Sequence, residues 1–349
     1  MVSNGNKNVS QLVDVPRLLD ENAGVGARLA QHTVDANLAF SGVWGSLRGV
    51  FAAVLARHAS SILMLFPEAA DADVVAGDAA AFGVAEAISL PLSASEASAS
   101  SIRDDDYADR LQVLQRLVAQ EPDSATPLLV TAYVGGAMQL VPTPEKLEAS
   151  TRRIAVGDEV EPESIRRWLA ESGFSATTAV QLPGEFAARG GLLDVYSADQ
   201  PQPIRIEWFG DEIESIRRFD PGSQRSIESL DHIEIAAVGI EVDQRYENDD
   251  PFLEGDFQEA GHDGIDVDSG DASSTTDASQ DLGSIAEYLP ADTLIVVIDP
   301  QACERTADAL QKRSGDEANL MSYEALVNSL AAYRMVSGTT LAEGSPNDI

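Results

Sequence analysis

Residues 204–212 read Ile-Arg-Ile-Glu-Trp-Phe-Gly-Asp-Glu, and a period-two alternation sends Ile204, Ile206 and Trp208 to one face of a strand and Arg205, Glu207 and Phe209 to the other. The first set is a core face. The second leaves a guanidinium, a carboxylate and an aromatic ring outside. That is chemistry for gripping another protein, through bidentate bonds from the arginine to carboxylates and an apolar anchor from the ring. Any half-buried antiparallel strand shows the same alternation, so the pattern alone leaves both readings open. A further arginine, Arg189, ends the upstream run Gly184-Glu-Phe-Ala-Ala-Arg189 before a Gly-Gly pair. Along a strand, Arg205 and Phe209 stand about 13 Å apart. Glu207 lies between them and is expected to pair with Arg205 or Arg189. With these side chains pointing outward, replacing Arg205 or Phe209 is expected to spare the fold.

A second constellation could do nucleotide chemistry. Residues 38–55 read LAFSGVWGSLRGVFAAVL, a short apolar run, a glycine-containing turn and a helical stretch, the layout of a phosphate loop between strand and helix. A working loop needs a lysine on the β- and γ-phosphates and a hydroxyl on magnesium. Here Gly42, Gly45 and Ser46 keep the turn, but the glycine place before the lysine is Leu47, the lysine place is Arg48 and the hydroxyl place is Gly49. The apolar run Thr293–Ile298 ends in Asp299, where such a site would hold magnesium, but the next residue is Pro300, which brings no carboxylate to orient a water. Gly42, Gly45, Ser46 and Arg48 therefore read as a degenerate nucleotide loop, with no catalytic residue and no cofactor expected. Asp299 reads equally as a strand-end turn residue.

The elements that must carry these groups are legible as an α/β chain. Ser61–Phe66 and 127–131 read as buried parallel strands, 107–118 as an amphipathic helix, and 293–298 followed by a helix over 301–313 as a return to the same doubly wound layer. Between 148 and 239 the pattern changes to a helix over 162–172 followed by a small antiparallel sheet. The spacing gives 1–35 as tail and entry helix, 36–147 as the first part of the α/β domain and 148–239 as an inserted domain. Residues 282–349 return to the first domain. Residues 247–281 contain no Lys or Arg and read as an acidic disordered insert.

Composition excludes several classes. The chain has 349 residues, 58 acidic against 23 basic, and a formal net charge of −35, which disfavours strong direct binding to duplex phosphate. Its one cysteine, Cys303, rules out an internal disulfide framework and reads as a small buried residue. His32, His58, His232 and His262 fall at no ligand spacing, so no metal site is expected. Neither a signal-type start nor a bilayer-length apolar stretch is present in the sequence.

From Pro183 to Ile235 the sequence resembles the UvrB-homology region at the N-terminus of transcription-repair coupling factors, Mfd. The resemblance rests on PGEFAARGGLLDVY, IRIEWFGDEIESIRRFDP and SQRSIESLDHIEI. It implies a docking surface for UvrA, the damage-recognition ATPase of nucleotide excision repair, at Arg189, Arg205, Glu207 and Phe209. It also implies a helicase-like degenerate phosphate-loop domain, a bacterial cytoplasmic location, and RNA polymerase contacts only through domains absent here. UvrB itself usually has a second arginine where this chain has Ala187. It also carries an aromatic-rich hairpin where this chain has no aromatic between Leu90 and Asp106, so the coupling factor is the better match. No translocase motifs occur before Ile349, which suggests a fragment or a stand-alone relic of a longer factor. The alternatives are a UvrB-like ATP-dependent helicase or excinuclease subunit, and a scaffold for another protein.

Overall fold

The computed structural model describes residues 11–34, 36, 38–92, 105–121, 124–237, 282–314 and 319–340. The acidic segment 247–281, His262 and residues 93–104 of the aromatic-free stretch lie outside them. In chain order, α1 (Asp14–Ala23) and α2 (Val25–Ala30) precede β1 (Leu38–Ser41), α3 (Leu47–Leu55), β2 (Ser61–Phe66), α4 (Ala69–Ala81) and β3 (Glu86–Leu90). Next come α5 (Asp105–Val118), β4 (Leu128–Tyr133), α6 (Val134–Met138), β5 (Val141–Pro142), α7 (Pro144–Ala149), β6 (Thr151–Ala155) and α8 (Pro162–Glu171). A run of strands follows: β7 (Ser175–Ala176), β8 (Glu185–Arg189), β9 (Leu192–Tyr196), β10 (Ile204–Phe209), β11 (Glu212–Phe219), β12 (Ser226–Leu230) and β13 (His232–Ala236). The last described elements are β14 (Leu282–Gly283), β15 (Leu294–Ile298), α9 (Pro300–Ser314), α10 (Tyr323–Ser329) and β16 (Arg334–Thr339).

Six strands form a parallel sheet in the order β1-β16-β15-β2-β4-β3, so strands from the two ends of the sequence meet in one layer. All residues of β2 and β15 are buried, as continuous apolar runs require when helices cover both faces. One face packs against α2, α3 and α4 through Phe51, Val54, Val75 and Ala79. The other packs against α5, α6, α9 and α10 through Leu114, Ala137, Ala307 and Leu326. The sequence spacing matched these elements closely: the strand at 61–66 coincides, and the helices at 107–118 and 301–313 are observed as 105–118 and 300–314.

The second sheet runs β12-β11-β10-β9-β8-β7 and is antiparallel except for the short β7–β8 pair. Its inner face, with Phe186, Leu193, Ile206 and Ile216, closes over Ile165 and Leu169 of α8 and over the β6–β13 pair. Along β10 burial alternates as the sequence predicts, with Ile204, Ile206 and Trp208 inside. The Trp208 indole donates to the Val160 carbonyl at 2.9 Å, which lets a large polar-tipped ring be buried.

The two sheets touch where α5 meets the loop after β9. Ala108 packs on Ala198, and the Gln115 amide donates to Asp199 at 3.1 Å. Asp199 is almost fully buried. Burial pushes its carboxyl above the ordinary value, and hydrogen bonds from Ser197, Gln115 and Gln200 oppose that shift.

Candidate protein-docking site

Two hairpins point to the same end of the antiparallel sheet. The β8–β9 turn, Gly190-Gly191, has φ +61° at Gly190, and a Cβ at Gly191 would come within 3.0 Å of the Trp208 carbonyl, so both positions call for glycine. The β10–β11 turn places Gly210 at φ +67°, with Phe209 opposite Glu212. Backbone bonds tie that tip down: Val160 N–H donates to the Asp211 carbonyl at 2.8 Å, and Ile213 N–H to Asp158 at 3.0 Å. Phe209 follows directly on the buried, hydrogen-bonded Trp208. It is thus held on an anchored backbone while 80% of its surface stays in solvent.

The outer face carries charge in rows set by register. Asp194 of β9 lies directly across from Arg205 of β10, and Arg217 of β11 lies on its other side. Arg205 donates from Nε and Nη2 to the two Asp194 oxygens at 2.6 and 2.8 Å, and from Nη2 to Gln224 at 3.0 Å. Its guanidinium also sits 4.5 Å from the centroid of the Phe219 ring. The hydrogen bond to Asp194, partly opposed by burial, raises the Arg205 pKa above its ordinary value. Arg189 is exposed at the end of β8 and donates to the Thr178 carbonyl. With Ala187, Leu192, Asp194 and Arg205 it lines a pocket of about 110 Å³.

Two expectations need correction. Glu207 pairs with neither Arg205 nor Arg189; it accepts from Arg217 at 2.8 Å and from Ser215 at 2.7 Å. Arg205 does not carry a free guanidinium on an open surface, because Asp194, only 7% exposed, already binds it. Removing the guanidinium would leave the Asp194 carboxylate without its cation, against the expectation that Arg205 can be replaced at no cost to the fold. Sequence reasoning missed Asp194, Phe219 and Gln224. The link of Asp194 to Arg205 depends on register across the 197–203 loop, which is too long for turn chemistry to fix it, and Phe219 and Gln224 arrive from beyond the β10–β11 turn.

The glycine turn lies at the carboxyl end of β1, with Gly42 at φ +79° and Gly45 at φ +54°; Ser46 is the residue before α3 and makes no side-chain cap. Val43 is buried and its N–H donates to Thr339. Arg48 reaches Asp71 at 2.6 Å and Asp299 at 3.8 Å. Asp299, at φ +50°, accepts from the backbone N–H and the hydroxyl of Thr340 at 2.9 and 3.0 Å. It is a strand-end turn residue with its carboxylate engaged. Cys303 is buried on α9, and burial, reinforced by Asp299, pushes its thiol up to about 12. Among the described residues no group of three or more His, Cys, Asp or Glu could hold a metal ion, and no helix is long and apolar enough to cross a membrane.

The region holding Arg189, Arg205, Glu207 and Phe209 matches a known family model over residues 153–239. The matched family is described as the UvrB interaction domain. The chain is 32% identical over 198 residues to a transcription-repair-coupling factor of Bacillus subtilis, covering 56% of this chain and 16% of the relative. Against that of Myxococcus xanthus it is 42% identical over 89 residues, 26% of this chain and 7% of the relative. UvrABC system protein B of Thermosipho africanus is 39% identical over 82 residues, 24% of this chain and 12% of the relative. These matches thus span a sixth or less of each relative. The mixed α/β architecture, with its parallel sheet and UvrB interaction domain, agrees with a UvrB-homology region of the kind found in coupling factors.

Proposed function

We propose that this chain is a UvrA-docking module of bacterial nucleotide excision repair, acting in the cytosol, with the tip of its antiparallel sheet as the contact surface. The observation that carries the reading is Phe209, 80% exposed on an anchored hairpin. A ring so placed adds nothing to the core and is suited to fill an apolar pocket on a partner. Arg189 supplies an exposed cation on the neighbouring hairpin, and Arg205 a second one turned and held by Asp194. In this reading Glu207 orders Arg217 rather than the docking arginines.

The parallel-sheet part, residues 36–147 and 282–349, serves as a scaffold around the inserted module 148–239 and descends from a helicase-like phosphate-loop domain that has lost hydrolysis. Supporting this, Arg48 sits in the lysine place and leans on Asp71 and Asp299, while Asp299 is occupied by Thr340 and followed by Pro300. Calorimetric titration with UvrA tests the docking half: saturable binding is expected, and no detectable heat across micromolar concentrations would refute it. Steady-state ATP turnover tests the other half. Turnover above that of a variant lacking residues 40–50 would refute it.

A further inference from the structure

The parallel sheet has a topological switch point unrelated to the docking tip. Strand β2 continues through α4 on one face towards β3, whereas β15 continues through α9 on the opposite face towards β16. Strand β4, the other neighbour of β2, leaves through α6 on the same face as α9, so the connections diverge on both sides of β2. In open α/β sheets a crevice forms outside the carboxyl ends of strands at such a point, and ligands settle there. This chain has that crevice. A cavity of about 390 Å³ lies over the ends of β2 and β4, bounded by the loop at Pro67–Glu68, by Tyr133 and by one face of α9.

Its lining is unusual for so acidic a molecule. Arg305 and Arg313, two turns apart on α9 and about 12 Å along its axis, both face the cavity, and neither has an ion pair or hydrogen bond among the described residues. Arg17, Arg116, Arg166 and Arg218 each rest on a carboxylate, while Arg153, Arg167, Arg225 and Arg334 share the lack of an ion pair among the described residues; what sets Arg305 and Arg313 apart is that both line one cavity. Thr306 adds a hydroxyl between the two arginines, and Glu68 is the one acidic residue in the wall. The floor is apolar and shaped: a Cβ on Gly135 would fall 2.4 Å from the Tyr133 ring and 2.6 Å from Leu310, so only glycine leaves room for both side chains there. Burial raises the Tyr133 phenol, and the nearby charge of Arg313 draws it back down, which ties the ring to the cationic end of the cavity.

From this we propose that the crevice between α9 and the ends of β2 and β4 binds a phosphate-bearing ligand with a flat ring. Arg305 and Arg313 would take the phosphates, and Tyr133 and Leu310 the ring. Guanidinium groups recognise phosphate oxygens in bidentate fashion, and unpaired ones need shed no internal partner to do so. The volume lies within the range of small-ligand sites. The site is separate from the degenerate loop at Arg48 and involves no hydrolysis, so it stands or falls independently of the UvrA reading. Free nucleotides and the nucleotides of a single strand share this chemistry.

The test is calorimetric titration of the full chain with ADP, inorganic pyrophosphate, adenosine and a short oligothymidylate. It uses the parent, the Arg305→Ala/Arg313→Ala variant, Arg166→Ala as a surface-charge control and Arg48→Ala. ADP is expected to bind the parent, with Kd raised at least tenfold in the double variant and less than twofold in Arg166→Ala and Arg48→Ala. Adenosine is expected to bind at least tenfold more weakly than ADP. Oligothymidylate that competes with ADP and depends on the same two arginines would support the site and identify a nucleic acid strand as its source. Pyrophosphate binding as tightly as ADP would overturn the role of the ring. The site itself would be overturned if no phosphorylated probe bound, or if ADP affinity were lost in Arg48→Ala and kept in the double variant. Because both arginines are exposed, an unchanged melting temperature is expected for the double variant.

Discussion

Replacing Arg205 with alanine should damage the fold as well as the docking surface. Two charge-assisted bonds at 2.6 and 2.8 Å would be lost, leaving the Asp194 carboxylate in a site only 7% exposed with no cation beside it. Breaking a buried pair from one side costs roughly 3 to 5 kcal/mol. The Arg205 and Asp194 side chains keep 19% and 10% of their surface in solvent, which screens the pair and brings the cost down to or just below the lower end, about 2 to 3 kcal/mol. Loss of the guanidinium from the Phe219 ring adds about 0.5 to 1 kcal/mol. The sum, about 3 kcal/mol, should appear as a lower urea midpoint with an unchanged slope. Arg205→Ala combined with Asp194→Ala should recover part of the loss, because the uncompensated carboxylate goes with its partner. A single Arg205→Ala variant within about 0.5 kcal/mol of the parent would refute the clamp, since that is the range of surface changes.

Other perturbations separate the faces of the same strand. Trp208→Ala should cost about 3 to 5 kcal/mol, read in the same denaturation experiment, because it empties a buried site and frees the Val160 carbonyl. Gly191→Ala should destabilise by about 1 kcal/mol or more through the close approach of the Trp208 carbonyl, seen as a lower melting temperature beside an unaffected Gly222→Ala. Asp199 has a folded pKa raised by burial, so the native state binds more protons than the unfolded one above the unfolded value near 3.8. Its contribution is full below that value and is lost as pH rises through the folded pKa, and Asp199→Asn should flatten this fall in stability measured against pH.

How far the sequence carried can be seen strand by strand. The runs at 61–66 and 293–298 announced buried parallel strands, since their apolar character does not alternate, and β10 announced its two faces because it does. The period of two also singled out Phe209 as exposed. It could not say what Arg205 touches. That depends on Asp194 lying across the ladder and on Phe219 and Gln224 arriving from beyond the next turn, all consequences of register rather than local pattern. Glu207 went to Arg217 for the same reason: register places Ser215 directly across from it and Arg217 on the diagonal, and both donate to its carboxylate. The switch-point crevice was likewise out of reach, because strand order in the parallel sheet brings together residues from 67, 133 and 305.

The most direct test of the account is titration of UvrA with the Phe209→Ala variant beside the parent chain, with thermal melts of both. The ring is 80% exposed and outside the core, so the melting temperature should stay the same. UvrA affinity should fall by about 2 kcal/mol, roughly thirtyfold in Kd. Equal affinities for the two proteins would contradict the docking surface, as would a Phe209→Ala chain that no longer folds.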